Sequence, residues 1–310
     1  MNPEHTEPIL NLVSPPPSGE APIPFETLVE AARLALPADM PKDPTKILVA
    51  VDLDGTVLLP SGPSPRVREM MAEADRAGLQ TVVATGRSFE ATAPVLHQLG
   101  DPQGWTICSN GAVSVQFDAR QGVVSSRIRT FDPTDLIDLV LEGIPDALIG
   151  LEVSDCFLLS GGFPPGEFIE THRVHPVEEL RGKETIKLVI RAPEMDRNDF
   201  QDLVDELGIS ERYECSVGWT SWADVLPLGV TKASGLHELA ETLGIGRAGT
   251  VAIGDGTNDV PMIRWANFGV VMGGASEIIK AEGDHVTGAV ENDGAAAVIR
   301  ALLDHCGVAR

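Results

Sequence analysis

Apolar and polar positions follow a strand–helix rhythm from about residue 46 onward. Residues 47–51 are apolar throughout, which is typical of a strand buried on both faces of a parallel sheet. Helical spacing follows and ends at Gly78. The elements predicted for this part are a strand at 47–51, a helix at 65–77, a strand at 81–84, a helix ending near 99 and a strand at 105–108.

The rhythm changes after the third strand and returns near residue 222. The changed part is predicted to hold a hairpin of 113–117 and 123–128, a helix at 133–141, strands near 147–153 and 186–190, and a helix at 199–207. The returning part is predicted to hold helices at 232–243, 258–265, 275–281 and 294–305, and strands at 250–253 and 269–272. Alternation of strands and helices favours an α/β, doubly wound parallel sheet. We expect this core to comprise 45–129 and 222–310 and to be split by an inserted α+β domain, 130–221.

The N-terminal 44 residues have a different composition. They hold ten of the 23 prolines, which is typical of a flexible or polyproline-like extension. One short amphipathic helix is predicted at 25–36, and we interpret it as packing on the domain surface rather than binding a partner.

Composition narrows the class of protein. The hydrophobic fraction of 43% supports a sizeable core, no apolar stretch is long enough to cross a bilayer, and the N-terminus lacks the features of a signal peptide. The four cysteines are scattered, which favours reduced thiols and a cytoplasmic protein. A net charge of −23 argues against nucleic-acid binding through a basic patch and favours the attraction of cations.

Two aspartates two positions apart, Asp52 and Asp54, follow the first predicted strand directly, and Gly55 and Thr56 come next. Ligands bind at the carboxyl ends of strands in such sheets. Carboxylates this close repel each other unless a cation lies between them. The spacing therefore indicates a divalent metal, a covalent nucleophile or both. A calcium loop would need Glu at its twelfth position, where this chain has Pro63.

Three further segments carry chemistry at predicted element ends: Thr85-Gly86-Arg87-Ser88, Gly229-Val230-Thr231-Lys232 and Gly254-Asp255-Gly256-Thr257-Asn258-Asp259. Together with the Asp52 segment, and in this order, they resemble the four motifs of the haloacid dehalogenase-like (HAD) hydrolases. Ser109-Asn110-Gly111-Ala112 and the size of the insert make the chain similar to the Cof-type subfamily, which carries a C2-type cap. The resemblance covers about residues 46–303 and departs from the family's pattern in the long extension before the first motif.

This resemblance implies an aspartyl-phosphate mechanism. Asp52 is expected to attack phosphorus, and Asp54 to act as the acid and then the base. Mg²⁺ is expected to bind Asp52, the backbone carbonyl of Asp54, and Asp255. Asp259 is expected to hold the metal through water or directly.

Other residues are expected to contact the phosphate. These are Thr85, Gly86, Lys232 and Asn258, with Thr85 donating its hydroxyl and backbone N–H. Taken alone, Thr85 and Ser88 are also typical helix N-caps.

Several polar and aromatic positions stay open between two interpretations. Arg87 fits either a substrate contact or a surface ion pair, and Asn110 fits either a substrate contact or a turn. Trp219 and Trp222 could stack on a substrate ring, although hydrophobic filling between cap and core is the more common role.

The resulting prediction is a Mg²⁺-dependent phosphatase acting on a small phosphorylated metabolite. Sugar phosphates are the default substrate, and nucleotide-like, flavin or pyridoxal phosphates are alternatives. Neither nucleic acid nor a membrane is an expected partner, and a monomer or homodimer is expected. A phosphosugar mutase or phosphotransferase of the same superfamily remains an alternative. A phospho-ligand-binding protein is a third, supported only by the extension.

Overall fold

The computed structural model describes residues 16–100, 104–118, 121–168 and 170–309, which form two sheets. The strands in chain order are β1 (Leu48–Val51), β2 (Gln80–Ala84), β3 (Gly104–Cys108), β4 (Val113–Asp118), β5 (Gly122–Ile128), β6 (Leu148–Glu152), β7 (Phe157–Leu159), β8 (His172–Val174), β9 (Lys187–Arg191), β10 (Tyr213–Val217), β11 (Trp222–Pro227), β12 (Thr250–Gly254), β13 (Phe268–Val271) and β14 (His285–Val286). The α-helices are α1 (Phe25–Ala35), α2 (Pro65–Ala77), α3 (Phe89–Gln98), α4 (Thr134–Gly143), α5 (Arg197–Glu206), α6 (Lys232–Leu243), α7 (Val260–Trp265), α8 (Glu277–Lys280) and α9 (Gly294–His305).

The larger sheet confirms the doubly wound α/β core. Its order is β14-β13-β12-β1-β2-β3-β4-β5, parallel from β14 to β3 and antiparallel beyond. The chain runs outward from β1 in one direction and later from β12 in the other. The strand order therefore reverses between β1 and β12, and a ligand crevice forms at such a point.

Helices cover both faces of this sheet around β1, whose four residues are all buried. Val49 and Val51 belong to the hydrophobic cluster that includes residues of α1, α2 and α9, whereas Leu48 and Ala50 belong to the cluster with α6 and α7. Successive side chains of a strand point to opposite faces. An uninterrupted apolar run was thus the correct signal for this strand.

Local capping fixes the helices next to the crevice. The Ser64 side chain accepts a hydrogen bond from the backbone N–H of Val67 at the start of α2, and Gly78 ends that helix with φ 91°. Thr231 and Ser234 form a capping box at the start of α6. A capping box satisfies helix donors that have no partner within the helix, so Lys232 emerges at a defined position.

The smaller sheet forms the cap. Its order is β10-β11-β9-β6-β7-β8, antiparallel except for the β7–β8 pair, and α4 and α5 pack on it around their own core. This sheet includes β11, which pairs with β9 and β10. The sheet therefore extends past the boundary expected at 221, because β11 pairs with two strands of the cap and with none of the described core strands. We propose 130–227 as the cap.

The N-terminal segment packs on the core from residue 16 onward, and residues 1–15 of the expected extension lie outside the described residues. Helix α1 lies against α9 and buries Leu28, Val29 and Ala32. The Glu20 carboxylate accepts hydrogen bonds from the backbone N–H of Ala289 at 2.6 Å and from the Asn292 amide at 2.7 Å. The described part of the extension is thus a built element of the core. None of its helices, nor any other in the described part of the chain, is long and apolar enough to cross a membrane.

Candidate active site

The four motif segments meet at the carboxyl ends of the parallel strands. Asp52 follows β1, Thr85 follows β2, and Asp255 follows β12, while Lys232 begins α6. Parallel neighbours bring these strand ends to one edge of the sheet. Residues that are far apart in the sequence thereby form one cluster.

Lys232 is the centre of that cluster. Its Nζ donates to Asp52 Oδ1 and to Asp259 Oδ1, each at 2.6 Å, and its side chain is fully buried. Burial opposes the charged form, but attraction to Asp259 and Asp52 outweighs it, so the pKa of Lys232 is raised. The lysine is therefore a permanent cation beside the two carboxylates.

Asp259 ties the neighbouring loop together. Its Oδ2 accepts hydrogen bonds from the backbone N–H groups of Asp255 at 2.9 Å and Gly256 at 2.8 Å. Gly254 allows this approach, since a Cβ there would lie 2.5 Å from the Asp259 side chain. A larger residue at position 254 would therefore clash with Asp259.

Three buried carboxylates repel one another here, and a bound cation would relieve that repulsion. Ligand oxygens of Asp52, Asp255 and Asp259 all lie within 4.8 Å. Burial, followed by repulsion from Asp259, raises the pKa of Asp52 to about 7. Burial, followed by repulsion from Asp52, raises the pKa of Asp255 well above its ordinary value. Lys232 offsets burial and repulsion only in part, and hard oxygen ligands of this kind suit a divalent cation.

Asp54 lies apart from that trio and is paired with Arg87. The guanidinium donates through Nε at 2.8 Å and through Nη2 at 2.6 Å to the two carboxylate oxygens. Arg87 is 7% exposed, so the pair is a buried feature of the site and not a surface ion pair. Its Nη1 is buried and makes no hydrogen bond within the described residues. A bidentate pair fixes the orientation of the Asp54 carboxylate.

Thr85 offers its hydroxyl to the cavity but not its backbone N–H. That N–H donates to the carbonyl of Ile107 at 2.8 Å, within the sheet. It is therefore not available for the contact with phosphate that the sequence predicted. The Thr85 hydroxyl accepts from the backbone N–H of Arg87 at 3.2 Å, which leaves its proton free to donate. Ser88 caps α3 by accepting from Ala91.

Asn258 and Asn110 form a chain of hydrogen bonds that ends in the cap. The Asn258 amide donates to Asn110 Oδ1 at 2.9 Å, and the Asn110 amide donates to Asp224 Oδ2 at 3.0 Å. Asn110 has a φ of 51°, a conformation that Asn tolerates better than most residues. It is therefore both a turn former and a polar bridge.

Buried polar groups of the cap complete the site. Lys187 donates to the carbonyl of Gly86 at 2.7 Å and to Asp224 Oδ2 at 3.3 Å. The Ser109 hydroxyl donates to Glu152 Oε1 at 2.6 Å. These contacts join the cap to the segments that follow β2 and β3. The cap is thus closed over the sheet edge by hydrogen bonds as well as by apolar packing.

A cavity of about 170 Å³ lies between the two sheets. Its floor includes Asp52, Asp54, Thr85, Gly86 and Asn258, all of which were predicted from the sequence. Lys232 lies beneath the floor, and Asp259 lies with it. The structure brings every predicted site residue to this cavity or to the cluster directly below it.

The cap side of the cavity contains residues that the sequence did not single out. They are Phe157, Glu167, Phe168, Glu170, Lys187 and Asp224. The one usable signal was a lysine in the apolar strand Lys187–Arg191, because a charge there must be paired when buried. The others are brought together by the pairing of strands and loops that a local pattern does not reveal.

The model of the haloacid dehalogenase-like hydrolase family matches residues 49–299. The chain belongs to this family. It is 27% identical over 279 residues to pyridoxal phosphate phosphatase YbhA of Escherichia coli, covering 84% of this chain and 99% of that protein. It is also 27% identical over 255 residues to 5-amino-6-(5-phospho-D-ribitylamino)uracil phosphatase YcsE of Bacillus subtilis, covering 82% and 94%.

Solved structures agree with the sequence relatives. The HAD phosphatase BT1666 from Bacteroides thetaiotaomicron has a TM-score of 0.67 and 27% identity, covering 88% of this chain and 97% of that one. The fold of the subclass IIB sugar phosphatase BT4131 is also similar, with a TM-score of 0.68 at 22% identity, covering 85% and 100%. The predicted Cof-type assignment is confirmed, and this HAD hydrolase is a phosphatase.

Proposed function

We propose that this HAD phosphatase cleaves a small phosphorylated metabolite with Mg²⁺ and through an aspartyl phosphate on Asp52. The observation that carries the proposal is the Asp52 carboxylate, which is buried beside Lys232 and lines the cavity under the cap. The names of the YbhA and YcsE relatives support a phosphorylated metabolite of small size.

In the first step, a carboxylate oxygen of Asp52 attacks phosphorus in line as the bond from phosphorus to the leaving oxygen breaks. Asp54 gives that oxygen a proton. In the second step, Asp54 takes a proton from water, whose oxygen attacks phosphorus and releases Asp52 and inorganic phosphate. Arg87 orients the Asp54 carboxylate through two hydrogen bonds, and each oxygen keeps a lone pair that can carry the transferred proton.

Mg²⁺ would be held by Asp52, Asp255, the backbone carbonyl of Asp54, and Asp259 either directly or through water. When bound, it supplies positive charge that offsets the charge of the phosphoryl oxygens. The Thr85 hydroxyl and the Lys232 ammonium stabilise the same charge from the protein side. Gly86 and Asn258 line the same cavity, which supports their predicted contact with the phosphate.

The first experiment measures phosphate release from a panel of phosphomonoesters with Mg²⁺ and with EDTA. Asp52→Asn is compared with Asp146→Asn, which alters an exposed aspartate of the cap. We expect Asp52→Asn to lose at least a thousandfold in kcat while keeping the fold by circular dichroism, because the nucleophile is removed. We expect Asp146→Asn to match the wild type.

The outcomes separate the competing mechanisms. Measurable turnover by Asp52→Asn without a phospho-enzyme would show that water is the direct nucleophile. An isomerised sugar phosphate in place of inorganic phosphate would establish the mutase alternative. Binding of a phosphorylated ligand without turnover by the wild type would support the binding-protein alternative.

We propose that the chain acts as a monomer or a homodimer. Asp52, Lys232, Asp255 and Asp259 come together within one chain, so one copy supplies the predicted nucleophile, lysine and metal ligands. Sedimentation equilibrium would contradict this proposal if it showed a larger assembly.

A further inference from the structure

The cap side of the cavity is an aromatic surface. Ring centroids of Phe157 and Phe168 are 4.8 Å apart, and those of Phe168 and Trp222 are 5.3 Å apart. The three rings line the cavity, and Trp219 lines it with 41% of its surface exposed. Phe163 packs edge-on against Phe168 and Trp222 from behind. A hydrogen bond from Trp222 Nε1 to Asp224 Oδ1 at 2.9 Å fixes the ring.

Two of these rings are held in place before any ligand binds. Trp222 Nε1 donates to Asp224, and Phe168 packs against Phe157, Phe163 and Trp222. A rigid ring loses little conformational freedom when a flat group stacks on it. The surface therefore suits a planar partner better than a flexible one.

The charges on the cap side of the cavity also limit which substrates it can bind. The carboxylates of Glu167, Glu170 and Asp224 line the cavity, and Lys187 is the cation among the described cap residues that line it. Lys187 already donates to Asp224 and to the Gly86 carbonyl. Arg87, on the core side of the cavity, keeps a buried Nη1 without a partner among the described residues. A second anionic group placed against the cap wall, by contrast, would meet three acids and a lysine that already donates twice, which costs affinity.

The acids are also positioned to accept hydrogen bonds from a ligand. Glu167 forms a bidentate pair with Arg191, at 2.8 Å and 2.9 Å, and both side chains are about nine-tenths buried. Arg191 thereby fixes the Glu167 carboxylate at the cavity wall. Each carboxylate oxygen has two lone pairs, so fixed acids can still accept N–H or O–H donors from a ligand.

We propose that the substrate's leaving group is a planar aromatic alcohol that carries no second anionic group and bears a hydrogen-bond donor or cation. The proposal rests on the phosphatase function proposed above and names its substrate class. It narrows the small phosphorylated metabolite proposed above to one with a flat aromatic leaving group. A sugar phosphate would offer hydroxyl donors to the acids but no flat ring to the aromatic side chains.

A matched series of esters tests this class. Benzyl phosphate is the parent, 4-(aminomethyl)benzyl phosphate adds a cation, and 4-carboxybenzyl phosphate adds an anion. Cyclohexylmethyl phosphate removes aromaticity at similar size, and ribose 5-phosphate is the sugar arm. All five are esters of primary alcohols, so differences in kcat/KM report mainly on recognition of the leaving group.

We expect kcat/KM for benzyl phosphate to exceed that for the cyclohexylmethyl ester about 3–10-fold. We expect the aminomethyl ester to exceed the carboxy ester more than tenfold. Equal or faster cleavage of the cyclohexylmethyl ester, the carboxy ester or ribose 5-phosphate would overturn the proposal while leaving the phosphatase function intact. Absence of Asp52-dependent release from every ester would instead overturn the function itself.

Variants locate the effect in the cap. Trp219→Ala removes the exposed ring of this surface and is expected to lower the benzyl-to-cyclohexylmethyl ratio, and Trp219→Phe, which keeps a ring, is expected to restore it. Glu170→Gln is expected to lower the aminomethyl-to-carboxy ratio severalfold, whereas Glu178→Gln, at an exposed cap position, is expected to leave it unchanged. Unaltered ratios in both Trp219→Ala and Glu170→Gln would place recognition elsewhere and sink the proposal.

Discussion

Glu152 is an acidic residue that lies buried where the cap meets the core. Ser109 donates to its Oε1, Lys187 lies 3.8 Å from its Oε2, and the residue is 4% exposed. Burial raises its pKa to about 7 despite the attraction of Lys187 and the hydrogen bond from Ser109. An acid with a raised pKa favours the protonated form in the folded state.

This shift predicts how stability depends on pH. The unfolded chain releases the proton near the ordinary value of 4.5, whereas the folded chain holds it until about 7. Between these values the unfolded state binds fewer protons, so the free energy of unfolding falls as pH rises, and the loss is complete above about pH 7. We expect Glu152→Gln to be more stable than the wild type at pH 8, by at most about 3 kcal/mol, and equal to it near pH 4.5.

Urea denaturation at a series of pH values checks this prediction, with Glu194→Gln as the control at an exposed position. A Glu152→Gln variant that paralleled the wild type from pH 5 to pH 8 would contradict it. The comparison is internal, since other titrating groups affect both proteins alike.

At the scale of single residues, the sequence predicted the core side of the site but not its cap side. Asp52, Thr85 and Lys232 were identifiable because each stands in a motif next to a predicted strand or helix end. Glu152 and Asp224 stand in ordinary strand sequence. Their role comes from the pairing of strands in the cap and from contacts with the core, and such contacts leave no local pattern.

At the scale of elements, α1 shows that the N-terminal segment is part of the fold. Leu28 is 7% exposed and contributes to the core cluster with α9, whereas Leu34, on the same helix, is 72% exposed. The helix was predicted correctly by its amphipathic spacing. Its proline-rich surroundings had suggested an independent extension, but the apolar stripe of α1 needs α9 to cover it.

The two leucines provide a matched pair for mutation. Leu28→Ala is expected to lower the free energy of unfolding by about 2–4 kcal/mol, because it leaves a cavity between α1 and α9. Leu34→Ala is expected to change it by less than about 0.5 kcal/mol. Denaturant titration measures both, and similar values for the two variants would show that α1 does not pack on the core in solution.

Longer elements were predicted more accurately than short ones. The bounds of α2, α6 and α9 match the expected bounds because caps and glycines mark their ends. The five-residue β10 and the six-residue β11 were not predicted, and their place in the fold comes from their pairing in the cap. The strands β7, β8 and β14 were also missed, since a strand of two or three residues offers no period to detect. Strands this short are defined by their partners in the sheet.

At the scale of the whole molecule, the acidic site joins two distant parts of the chain. Asp52 comes before the cap insertion and Asp255 comes after it, and the two repel each other when no cation is bound. A metal ion would therefore act as a cross-link between the halves of the core. Binding to the folded state alone stabilises a protein by an amount that grows with ligand concentration.

We expect Mg²⁺ to raise the melting temperature of the wild type by several degrees, corresponding to about 2.7 kcal/mol at a hundredfold excess over Kd. Asp255→Asn removes one buried, repelled carboxylate, so it is expected to melt above the wild type in EDTA and to gain little from Mg²⁺. Differential scanning calorimetry measures both effects. A full Mg²⁺ response in Asp255→Asn, or none in the wild type, would contradict a magnesium site here.

The position of β1 in the middle of its sheet has a consequence for biosynthesis. One neighbour, β2, is made soon after it, but the other, β12, leaves the ribosome only after the entire cap. During that interval one edge of β1 has no strand partner, and an unpaired strand edge can associate with other chains. The cap, which has its own hydrophobic core, can fold before β12 is available to pair with β1. The proposed catalytic centre is thus among the last parts of the nascent chain to form.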